Sequence, residues 1–227
     1  MNGPVACRIL SFQPSYFRPV PAQSITTDAF VLLKRLPADA FQSFTVFSAE
    51  HGILAVLQRV AKKSAATSAA LDLFDEASLL LESSNQGRTW FVKETKLLAR
   101  PAGIGRSYEA LQLASEFTAL LARNPVHEDS RAAVATLLRT ALAAFATGVR
   151  PDAVFFKSLY CFARDEGYPV KQQWLPMLSP ALRAEAELLL HTPLSDLEES
   201  KIDNPKSTIL QRLLREYLRG HTEILLD

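Results

Sequence analysis

The stretch Thr45-Val46-Phe47-Ser48-Ala49-Glu50-His51-Gly52-Ile53-Leu54-Ala55-Val56-Leu57-Gln58-Arg59-Val60-Ala61-Lys62-Lys63-Ser64 decides the reading of the fold. It holds two apolar runs joined at a glycine and followed by a cluster of cations. Phe44 and Val46 alternate with Thr45 and Phe47, as a strand of period two requires. Residues 53–60 resume an extended, β-branched-rich pattern after a short turn. Gly52 is the residue that enters φ > 0 without a steric penalty, so the turn belongs there.

Working outward, three more runs share this texture, so the strands are expected at 30–36, 41–48, 53–60, 71–81 and 88–98. Pro37-Ala38-Asp39, Glu50-His51-Gly52 and Ser83-Ser84-Asn85-Gln86-Gly87 supply the turns, through small polar residues and glycine. A longer link, 61–70, is rich in Ala, Ser and Lys. Five short antiparallel strands in this space suit a Greek-key barrel of the OB type. Residues 1–26, with Pro4, Pro14, Pro19 and Pro21 and no sustained period, read as a lead-in.

After Pro101 the period changes to three and four. Leu111, Ala114, Phe117 and Leu121 share one helical face; Val134, Leu137, Leu138, Ala141, Leu142 and Phe145 form another. Asp129 or Ser130 caps this second helix and Gly148 ends it. Pro151 opens a third helix through Phe155, Leu159 and Phe162, closing near Gly167 and Pro169. Shorter helices are expected at 180–191, 194–201 and 207–219. The predicted architecture is therefore α+β: a five-stranded OB-type barrel over 27–100, then an all-α helical bundle over 101–227.

Charge narrows the function. The chain has 227 residues and a formal charge of +1. Residues 24–100 hold nine Lys and Arg against eight Asp and Glu, and 101–227 hold fourteen against sixteen, so a nucleic-acid site must be a local patch. Arg59, Lys62 and Lys63 at the exit of the third strand, with Lys34 and Arg35 ending the first, make such a patch, able to track a phosphate backbone. Phe41, Phe44, Phe47, Trp90 and Phe91 are available for stacking on bases. The alternative is that these cations are ordinary surface and these rings are core.

Other chemistries find little support. Cys7 and Cys161 form no CxxC pair, and His51, His127, His191 and His221 show no ligand spacing, so no metal or other cofactor is expected. No Gly-x-Ser-x-Gly elbow marks a nucleophile, and Cys161 sits in an apolar stripe as a packed thiol. Arg164-Asp165-Glu166 and the acidic run 196–199 read as solvated or capping charges. Gly103-Ile104-Gly105-Arg106-Ser107 resembles a phosphate-cradling turn but lacks the following Gly-Lys-Ser/Thr, and reads instead as a hinge between the two halves. Arg8, Gln13 and Arg18 break any leader-like apolar run, and no segment approaches a membrane-spanning length, so a cytoplasmic chain without membrane contact is expected.

The order of these features resembles the RecO family of bacterial recombination mediator proteins. Residues 44–52, Phe-Thr-Val-Phe-Ser-Ala-Glu-His-Gly, look like the family's "FT-x-E-x-G" turn, and residues 58–64, Gln-Arg-Val-Ala-Lys-Lys-Ser, stand where the family has "AKGARR-x-x-S". Ala70-Leu71-Asp72-Leu73-Phe74 is similar to its "LQPF" entry to the fourth strand. The segments 155–159 and 166–168 look like "RFELRLLELLGY", and 213–218 like the closing helix. The family's frequent four-cysteine zinc site is absent, since no cysteine follows Tyr168. The resemblance implies a non-enzymatic DNA repair protein that binds single- and double-stranded DNA, anneals complementary strands and, with RecR, helps load RecA. It also implies contact with the acidic tail of single-stranded-DNA-binding protein, for which Arg139, Arg150 and Lys157 are available cations. A cytoplasmic, nucleoid-associated location follows from the same resemblance, as does the alternative of a protein-binding adaptor with little DNA affinity of its own.

Overall fold

Five strands close on themselves in the order β1-β2-β3-β5-β4, the topology of an OB-type barrel. The computed structural model describes residues 23–38, 40–60, 70–83, 85–193 and 204–226. The strands are β1 (Gln23–Lys34), β2 (Phe41–Ser48), β3 (Gly52–Arg59), β4 (Glu76–Ser83) and β5 (Trp90–Ala99). β1 is long enough to serve two neighbours: Gln23 to Phe30 pair antiparallel with β4, and Ala29 to Lys34 with β2. A bulge at Leu32 bends it within the stretch paired to β2, as an extra residue in one strand does. The barrel is sealed by a short parallel pairing of β3 with β5, Val56 opposite Trp90 and Leu57 opposite Phe91.

Alternation sorts the side chains. Ala29, Val31, Phe44, Val46, Val56, Ala77, Leu79, Leu81 and Trp90 fill the barrel. Phe30, Leu32 and Phe47 point the other way and are equally buried, because the helices cover that face. A strand buried on both faces needs a continuous apolar run, which is why β1 reads Ala29-Phe30-Val31-Leu32-Leu33. Two polar side chains inside satisfy each other: Thr27 and Ser48 share a hydrogen bond of 2.6 Å, and Ser48 Oγ accepts the amides of Glu50 and His51 to shape the turn before Gly52. Gly52 has φ +70°, as expected, and Arg131 lies 3.3 Å from where a Cβ would sit.

The helices are α1 (Tyr108–Arg123), α2 (Arg131–Thr147), α3 (Pro151–Asp165), α4 (Leu175–Met177), α5 (Pro180–His191) and α6 (Asn204–His221). Ser107 caps α1 by accepting the Ala110 amide, and Ser179 caps α5 by accepting that of Leu182. Gly148, at φ 74°, ends α2, and Pro151 opens α3. Ser130 occupies the N-cap position of α2 without capping it; its hydroxyl turns instead to the Glu166 carboxylate, with the His127 carbonyl 3.0 Å away. The buried face of α1 is Ala110, Ala114, Phe117, Thr118, Leu120 and Leu121. Leu111, expected on that face, is 38% exposed. The helix expected at 194–201 lies outside the described residues.

One arginine clamps barrel to helices, and a second pins the end of β5 to the entry of β4. Arg139 of α2 donates from Nε to both carboxylate oxygens of Glu76 at 3.1 Å and stands over the Phe30 ring. Arg100 holds the fully buried Asp75 carboxylate at 2.8 and 2.6 Å. The Gly103 segment is a 3-10 turn, Ala102–Arg106, rather than a hinge or a phosphate cradle. A Cβ on Gly103 would sit 2.0 Å from the Ala146 carbonyl oxygen, so glycine is required there for close backbone packing.

Two other expectations need correction. β1 begins at Gln23, seven residues earlier than the 30–36 run, and β4 begins at Glu76 rather than near Leu71. Leu71 and Phe74 are buried in the turn before β4, with Phe74 at φ 70°; they plug the barrel and the helical interface from outside any strand. Among the described residues, no helix is long and apolar enough to cross a membrane.

Candidate nucleic-acid interface

β2 and β3 meet side by side with Phe41 opposite Arg59, Ser43 opposite Leu57 and Thr45 opposite Ala55. Leu57 is in turn opposite Phe91 of β5. Directly opposed residues share a face, and Phe44, Val46 and Val56 face inward, so these side chains lie on the outside of the barrel. The β2–β3 face, flanked by the β1–β2 and β4–β5 loops, is where OB barrels hold oligonucleotides.

The aromatic candidates separate on this geometry. Phe44 and Trp90 are barrel core, and Phe47 lies beneath the helices. Phe41 and Phe91 remain partly exposed on the outer face, their centroids 5.7 Å apart and their planes at 71°. Around them the rim is apolar as well as basic: Leu36 in the β1–β2 loop is 91% exposed and Val60 48%. Ala38 and Phe41 exchange a pair of hydrogen bonds, and the Val60 amide donates to the Ala40 carbonyl.

The cations separate too. Lys34 donates to Asp72 at 2.9 Å, so its charge is met by a carboxylate; that hydrogen bond holds the Asp72 carboxyl below its usual range. Arg35 and Arg59 are exposed and make no ion pair among the described residues. Both lie at one end of the barrel, where β1 and β3 finish and β2 begins. Lys62 and Lys63 lie outside the described residues. Sequence reasoning passed over Leu36, Val60 and Arg88, the last an exposed cation in the β4–β5 turn that carries Gly87 at φ 79°. The signal for Arg88 was its place in a glycine-bearing hairpin turn.

The groups weighed for other chemistry are engaged in structure. Glu166 accepts from Ser130 and from the ring and amide of His127, tying the end of α3 to the start of α2. His191 and His221 each bond a carbonyl of their own helix. Among the described residues, no His, Cys, Asp and Glu group could hold a metal ion. Burial pushes the Cys161 thiol up, as in a packed rather than a reactive cysteine. Of the cations considered for an acidic tail, Arg139 is engaged by Glu76 and Arg150 by Asp152. Lys157, whose ammonium donates to the Thr192 carbonyl, borders a groove of about 530 Å³ between α2 and α3, together with Leu137, Thr140, Cys161 and Arg164. Compared with family models and with curated proteins, the chain matches none of either.

Proposed function

We propose that this chain is a DNA-binding mediator of recombinational repair, similar in kind to RecO. It holds single- and double-stranded DNA, promotes annealing and, with RecR, assists RecA loading onto strands coated by single-stranded-DNA-binding protein, acting non-enzymatically at the bacterial nucleoid. The observation that carries the reading is the OB-type barrel whose outer β2–β3 face sets Arg59 beside Phe41, with Arg35 on the same rim. The order of barrel and helical bundle supports it, together with the sequence resemblance. The α2–α3 groove beside Lys157 is the seat assigned to the acidic tail of the single-strand binder.

Binding of a dye-labelled single strand across a salt series tests the proposal. Each phosphate contact removed flattens the slope of log affinity against log salt by about 0.7 unit on single strands. Arg59→Ala is expected to lose one such step, and Lys62→Ala with Lys63→Ala about twice that. An unchanged slope in folded variants removes those residues from the site. A second reading, a protein-binding adaptor with little DNA affinity, is favoured by the formal charge of +1 and by Asp72 occupying Lys34. Absence of binding at low salt would decide for the adaptor.

A further inference from the structure

We infer that the outer face of β2, β3 and β5 grips single-stranded DNA by its bases, with Phe41 and Phe91 as the stacking rings, and so selects unpaired strands over duplex. The inference rests on the DNA-binding reading above and sharpens it. This barrel buries the rings of Phe44, Phe47 and Trp90 completely or nearly so, yet leaves Phe41 and Phe91 partly in water on β2 and β5, the two strands that flank β3. They meet edge to face, 5.7 Å apart at 71°. In that arrangement the ring lending its edge keeps both of its faces clear of its partner.

The ground around the pair suits a base. Ser43, Thr45 and Ala55 are small, and Leu57 of β3 stands directly opposite Ser43 on one side and Phe91 on the other. Leu36 and Val60 extend the exposed apolar area along the rim. Arg59, directly opposite Phe41, supplies the cation where the backbone of a stacked nucleotide would run.

Magnitudes favour bases over phosphates as the source of selectivity. Phosphate contacts from Arg35, Arg59 and the exposed Arg88 are open to a duplex and to a single strand alike, so counterion release does not separate the two. Stacking on an aromatic ring is available to every base of a single strand and closed to a duplex, whose base faces are already stacked. A duplex therefore gains only the phosphate contacts.

Fluorescence anisotropy with three labelled probes tests this on the full chain: oligo-dT, an abasic deoxyribose-phosphate strand of equal length, and a duplex. The native protein is expected to bind oligo-dT about tenfold or more tighter than the abasic strand. Phe41→Leu with Phe91→Leu keeps the apolar volume and removes the π faces. It is expected to erase most of that ratio while leaving the salt slope and the affinities for duplex and abasic strand unchanged. Should the double variant fail to fold, the ratio of oligo-dT to abasic binding by the native protein still decides. Equal binding of oligo-dT and abasic strand, or a variant that weakens all three probes alike, overturns the stacking inference alone. Absence of binding to all three at low salt overturns both it and the DNA-binding reading.

Discussion

Gly103→Ala should be among the more damaging single-methyl additions in this protein. The added Cβ would fall 2.0 Å from the carbonyl oxygen of Ala146, 2.9 Å from its carbonyl carbon and 3.2 Å from its Cα. Those atoms are backbone in the last turn of α2, just before Gly148 ends the helix, so no rotamer change relieves the clash. The 3-10 turn and α2 would have to separate by more than an ångström, at the seam where barrel and helices meet. Overpacking of this kind costs about 1–3 kcal/mol, and a rigid backbone neighbour places it near the top. Against it stands the reduced chain entropy of alanine in the unfolded state, worth about 0.4–1 kcal/mol. The net loss is about 2 kcal/mol, or roughly 4–8 °C in melting temperature for a chain of this size. Gly105→Ala is the control two residues away, in the same turn with nothing within 4 Å of its Cβ. It should be neutral or slightly stabilising. Thermal and urea unfolding of both variants would measure the difference, and equal midpoints would refute the packing argument.

Arg139→Ala should destabilise by about 2 kcal/mol, since it strands the nearly buried Glu76 carboxylate; the loss stays below the fully buried range because Arg139 itself is 57% exposed. A double-mutant cycle with Glu76→Gln should recover part of the loss, and zero coupling would reject the clamp. Asp152 gives the protein an acid-sensitive contribution. Burial works to raise its carboxyl, but hydrogen bonds from Arg150 and Ser207 outweigh burial and hold it below the usual range. The unfolded chain therefore takes up this proton first, near pH 3.9, and stability falls as pH drops from there through the folded-state value. Asp152→Asn should be less stable at neutral pH and lose less on acidification below about pH 4, as read from melting temperature against pH. An acid limb as steep as the native one would rule Asp152 out as its source.

What the sequence made legible follows from how each residue is used. β2 and α5 were readable to their ends, because Phe44 and Val46 alternate plainly and Ser179-Pro180 announces a helix start. The start of β1 was hidden because inward positions there include Thr27, a polar residue made apolar in effect by its bond to Ser48. The apolar pattern runs ahead of β4 because Leu71 and Phe74 are apolar for burial outside any strand. In the candidate site, strand parity alone separates Phe44 from Phe41. Nothing local tells Phe41 from Phe47, which share a parity; only the helices packed on Phe47 distinguish them. The pairing of Lys34 with Asp72 spans 38 positions and carries no local signature.

The outward row of Phe30, Leu32 and Phe47 has a consequence for how the chain is made. At roughly 5–20 residues per second the ribosome delivers the barrel strands several seconds before α1 and α2 are complete. For that interval a nascent barrel presents a bare aromatic stripe that only later residues of the same polypeptide can cover. Biosynthesis thus passes through an obligatory sticky stage, which favours engagement by a ribosome-bound holdase. A transcript truncated after the barrel would yield a product prone to aggregate and be degraded rather than a free-standing module.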